Sequence, residues 1–89
     1  MLGENVERDA WIYALAAHEY YHGDGLTQII SDEEYDALTS ILKINWSEIP
    51  EDLKEIFIQP SYLGQGSNHI KLNDNQLEIA RGFYNAKRN

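Results

Sequence analysis

His18-Glu19-Tyr20-Tyr21-His22 places two imidazoles four residues apart, with a glutamate beside the first. On a helix, side chains at i and i+4 share a face. His18 and His22 could therefore both ligate one zinc ion while Glu19 acts on a metal-bound water. That chemistry would be metal-assisted hydrolysis. A catalytic zinc needs a third protein ligand. The longer form of the motif is matched by Gly25, but Gln28, a poor ligand, stands where a third histidine belongs, and Asp32, Glu34 and His69 lie at no diagnostic spacing. The 17 residues ahead of the motif leave no room for a sheet on which to lay an extended peptide. Two histidines one turn apart are often partly buried, hydrogen-bonded side chains. That reading is preferred, so neither a metal nor a hydrolase is expected, with His18 and His22 as the candidate ligands if one were present.

A second constellation overlaps the first. Tyr21-His22 is followed by a glycine-containing loop and then by Ser31-Asp32-Glu33-Glu34-Tyr35-Asp36. The run also suits the start of any helix. Ser31 can cap, Glu34 falls at N3 of a capping box, and early acids oppose the helix dipole. Tyr21 and Tyr35 can equally pack against each other across a hairpin.

The elements that must hold these residues follow from periodicity. Val6, Ala10, Tyr13, Ala14, Ala17 and Tyr21 recur at helical steps, with Trp11, Leu15, His18 and His22 as a second row. Gly23-Asp24-Gly25 ends this helix, because glycine tolerates positive φ. Tyr35, Leu38, Ile41 and Leu42 give the second helix an apolar face, making an antiparallel helical hairpin over residues 5–46. Pro50 fits the first position of a short third helix with Leu53, Ile56 and Phe57. Residues 58–72 read as loop, with a brief extended stretch at His69–Leu72. Asn73 and Gln76 form a second capping signal, opening a helix through Leu77, Ala80, Phe83 and Tyr84 that Gly82 interrupts. The expected fold is all-α: one domain over 1–89, a small bundle of three or four helices built on the hairpin, with additional helices and loop over 47–89.

Composition narrows the class. A domain of 89 residues buries a marginal core. The chain has no cysteine, hence no disulfide framework and no thiolate metal site. It offers neither a secretory signal nor a stretch of about 20 apolar residues for a membrane span, and a cytoplasmic protein is expected. Fifteen acidic against 7 basic side chains give a formal charge of −8, which disfavours direct contact with nucleic acid. An acidic surface is also simply a soluble one.

The run from His18 to Leu38 resembles the N-terminal Ia domain of bacterial NAD-dependent DNA ligases, a helical hairpin with a Tyr-His pair ending its first helix and a D-x-x-Y-D element opening its second. Tyr21-His22 match the pair, and Asp32, Tyr35 and Asp36 match the second element. The resemblance extends over residues 10–45. The loop between His22 and Asp32 is one residue longer than is usual in that family and lacks its common proline. In those ligases the matching positions hold the nicotinamide mononucleotide half of NAD. The resemblance therefore implies a cofactor site at Tyr21, His22, Asp32, Tyr35 and Asp36 for NAD or nicotinamide mononucleotide. Those residue types suit a pyridinium cation, which favours an aromatic face and carboxylates, while His22 can donate to the phosphate. Nothing resembles the ligase's KxDG lysine motif or its adenylation domain, so no enzyme is expected, only a stand-alone module whose site a protein partner completes. The alternative is a phage or prophage protein-interaction or inhibitor module that kept the hairpin scaffold without the ligand.

Overall fold

A computed structural model of the chain describes residues 5–22, 30–57, 63 and 70–88, the backbone alone at 21–22 and 87–88. Among these residues the regular elements are all helical: α1 (Val6–His22), α2 (Asp32–Ile44), a 3-10 turn (Trp46–Glu48), α3 (Glu51–Phe57) and α4 (Asp74–Arg88). The all-α bundle expected from periodicity is the fold observed. No helix among the described residues is long and apolar enough to cross a membrane.

Helix α1 is the axis of the molecule and packs against α2, α3 and α4. Asn5 caps it: its Oδ1 accepts the Arg8 N–H at 3.0 Å, and its carbonyl accepts the Asp9 N–H at 3.0 Å. Every residue from Asp9 to Ala17 is buried. Both apolar rows of α1 therefore face protein, which is how a helix that is apolar on most sides must be placed. The small side chains Ala10, Ala14, Ala16 and Ala17 let neighbours approach, and Trp11, Ile12, Tyr13 and Leu15 fill the space between.

The second helix begins as its residues dictate. The Ser31 hydroxyl accepts the Glu34 N–H at 3.1 Å, three acids occupy the first turn, and Lys43 lies in the last. Asn45 closes it twice, its backbone N–H and its side-chain amide both donating to the Ile41 carbonyl. Leu38 and Leu42 are its buried face. In α3, Pro50 stands one residue ahead of the helix rather than inside it. Its carbonyl accepts the N–H groups of both Leu53 and Lys54 at 3.0 Å, so its fixed φ is spent at the cap.

Helix α4 departs from expectation in one respect. It continues through Gly82 to Arg88 rather than being interrupted. Glycine costs about 1 kcal/mol in a helix interior. That cost is carried by a complete capping box at the start and by Leu77, Ala80, Phe83 and Tyr84, all packed on the shared core. The core is continuous. Ile49, Leu53, Phe57, Leu63, Ile70, Leu72 and Ala80 join α1 and α2 in one cluster, so the part after residue 46 is structural, not appended. The expected glycine stop after α1 and most of the 58–72 loop lie outside the described residues. Ile70 and Leu72, within the expected extended stretch, are buried in irregular backbone.

Candidate functional site

Asp32 and Asp36 are both exposed on the first turns of α2, one helical turn apart on the same side. The Ser31 cap fixes where this helix begins and hence where both carboxylates stand. Tyr21 and His22 form the last turn of α1. Their side chains, like Gly23-Asp24-Gly25 and the rest of the joining loop, lie outside the described residues. The hairpin thus supplies two exposed acids from α2 and the backbone positions of the tyrosine–histidine pair from α1.

Tyr35 is placed differently from its aspartate neighbours. It is half-buried and turns towards α1, where its ring stacks on Tyr13 with centroids 4.7 Å apart and planes inclined by 24°. Its hydroxyl donates to the Tyr13 hydroxyl at 3.1 Å. Tyr13 in turn meets Phe57 of α3 edge-on at 5.8 Å, and Phe57 lies 6.4 Å from Trp46. Tyr35 is the outer end of an aromatic chain that runs through α1 into α3. Edge-on and offset aromatic pairs add about 0.5–1.5 kcal/mol beyond the area they bury. The role of Tyr35 visible in this geometry is to hold α2 on α1 directly beside the two carboxylates. Tyr13 was visible in the sequence only as one member of an apolar stripe; its pairing with Tyr35 spans 22 residues and has no local signal.

Two members of the His-Glu-x-x-His run, His18 and Glu19, are engaged with other parts of the fold. His18 Nδ1 accepts the backbone N–H of Leu72 at 3.0 Å. An imidazole that accepts at Nδ1 while neutral carries its proton on Nε2, which leaves no lone pair for a metal. The Glu19 carboxylate meets the Arg81 guanidinium of α4 at 3.3 Å. Both side chains are thus turned to the α1–α4 interface. No group of three or more His, Cys, Asp or Glu side chains arranged for a metal occurs among the described residues.

Two further features lie away from the hairpin's acids. Asp9 is fully buried near the start of α1, its Oδ1 3.6 Å from Arg8 Nη2. Its place in the first turn of α1 suits a carboxylate, because the helix dipole is positive there. Asp74, Leu77, Glu78, Arg81, Gly82 and Asn85 line one open face of α4, remote in sequence from the His18–Leu38 run.

No family model, curated protein or solved structure matches the chain.

Proposed function

We propose that the α1–α2 hairpin is a binding module for the nicotinamide mononucleotide part of NAD, acting with a protein partner that closes over the ligand, and that the chain is not a ligase by itself. The observation that carries this reading is the pair Asp32 and Asp36, exposed one turn apart on a helix that Tyr35 pins to α1. Two carboxylates on a rigid helix offer negative charge to a pyridinium ring without moving. With Tyr35 stacked on Tyr13, Tyr21 is the residue proposed to offer such a ring an aromatic face. His22 supplies the donor for the phosphate.

An open hairpin gives weak binding. A Kd near 1 mM corresponds to about −4 kcal/mol, in keeping with a few polar contacts on one side of a small ligand. Tight binding then belongs to the assembly with the partner. The reading is tested with Asp32→Asn and Asp36→Asn, which keep the helix and remove the charge. Saturation-transfer signals from nicotinamide mononucleotide should weaken in each variant and vanish in the double variant. Equal signals in wild type and double variant would remove the acids from the site.

A second reading draws on the stack itself. The Tyr13–Tyr35 pairing gives Tyr35 a structural task that needs no ligand. A scaffold of this kind serves equally as a protein-interaction or inhibitor module of phage or prophage origin. Silence of the wild-type protein towards millimolar nicotinamide mononucleotide would favour it.

A further inference from the structure

We propose that His18 is an acid-sensitive latch that holds the start of α4 on α1 while its imidazole is neutral and releases it on protonation. The bond between His18 Nδ1 and the Leu72 N–H joins residues 54 apart in sequence. Leu72 is buried and lies immediately before Asn73, the cap of α4. The latch therefore fixes the point at which the capping box is assembled. Neutral imidazole accepts at one nitrogen; imidazolium carries N–H on both and accepts at neither. A single proton thus turns the acceptor into a second donor facing the Leu72 N–H.

The surroundings work in the same direction. His18 meets the chain at the N-terminal end of α4, where helix N–H groups carry partial positive charge and disfavour a cation. Among the described side chains of its own helix, Glu19 stands next to it and is paired with Arg81 of α4 at 3.3 Å. Lys71 and Asp74 flank the Leu72-Asn73 step, both exposed. Tyr84 of α4 is half-buried against the same core. From α2, Asp32, Glu33 and Asp36 are exposed and Tyr35 is engaged with Tyr13, while from α3, Glu51, Asp52 and Glu55 are exposed and Lys54 is paired with Glu51. Imidazole is the side chain that ordinarily changes charge between pH 5 and 8. Only the neutral imidazole can accept this bond, so the latch is closed while the ring is neutral and open once it is protonated.

The experiment follows the latch at its own amide. Hydrogen-exchange protection of Leu72, corrected for the intrinsic effect of pH, is measured from pH 7.5 to 5 in wild type and in His18→Asn. The asparagine carbonyl stands near the position of Nδ1 and does not titrate. Protection in wild type should be lost as the pH falls, and that of the variant should stay flat. Wild-type protection unchanged over the range, or an equal fall in the variant, would overturn the proposal. Should the variant not fold, the ¹⁵N shifts of the wild-type His18 ring at pH 7.5 decide independently: an unprotonated Nδ1 is expected, and a protonated one sinks the latch.

Discussion

Tyr35 of α2 and Tyr13 of α1 are joined twice, ring on ring at 4.7 Å and hydroxyl to hydroxyl at 3.1 Å. Since Tyr13 is fully buried, this pair links the outer helix to the centre of the core at the turn that carries Asp32 and Asp36. The hydroxyl bond and the stack should be separable. Tyr35→Phe keeps the ring and should cost about 1 kcal/mol. Tyr35→Ala loses both and should cost about 3 kcal/mol or more. Urea unfolding of the two variants and of Tyr13→Phe measures the terms. A double variant Tyr13→Phe/Tyr35→Phe no less stable than either single one would confirm that the two hydroxyls act as a unit.

The start of α4 is closed by reciprocal bonds: Asn73 Oδ1 accepts the Gln76 N–H at 2.8 Å, and Gln76 Oε1 accepts the Asn73 N–H at 2.9 Å. Asn73→Ala should destabilise by about 1 kcal/mol, with Asn73→Asp nearly neutral. Thermal unfolding distinguishes this from a residue that merely sits in a loop, for which neither change would register.

Gly82 lies mid-helix on an exposed turn, and a Cβ built there meets no atom within 4 Å. Gly82→Ala should therefore stabilise the fold by about 1 kcal/mol, raising Tm by about 4–8 °C in a domain of this size. A fall in Tm would mean that the open space over Gly82 is needed by the fold.

The Glu19–Arg81 pair is partly solvent-exposed, with the guanidinium more open than the carboxylate. Its contribution should stay below about 1 kcal/mol and shrink with added salt. A double-mutant cycle at 50 mM and 500 mM salt checks this. A coupling that ignores salt would show a pair shielded from solvent.

What could be read from the sequence was local. Ser31 with Glu34 and Asn73 with Gln76 are short-range signals, and both caps are found where the residue types place them. The apolar rows of α1 were legible too, but not that α4 would pack on this helix alongside α2, because that depends on packing partners more than 50 residues away. The same limit hid the tasks of His18 and Glu19. Their spacing is that of a metal motif, while their partners, Leu72 and Arg81, are 54 and 62 residues distant. Tyr35 shows the limit at closer range. The sequence puts it beside Asp32 and Asp36, yet its helical position turns it to Tyr13 while they face solvent. Gly82 was misleading for the opposite reason: its local preference against helix was outweighed by the cap and the packing of α4.

The most direct test of the hairpin as a nicotinamide site is a titration of ¹⁵N-labelled protein with nicotinamide mononucleotide, NAD and AMP in parallel, followed residue by residue. Amide shifts concentrated at Tyr21, His22, Asp32 and Asp36 with the first two ligands, and absent with AMP, are the predicted result. Shifts equal for all three ligands, or none at millimolar concentration, would contradict it.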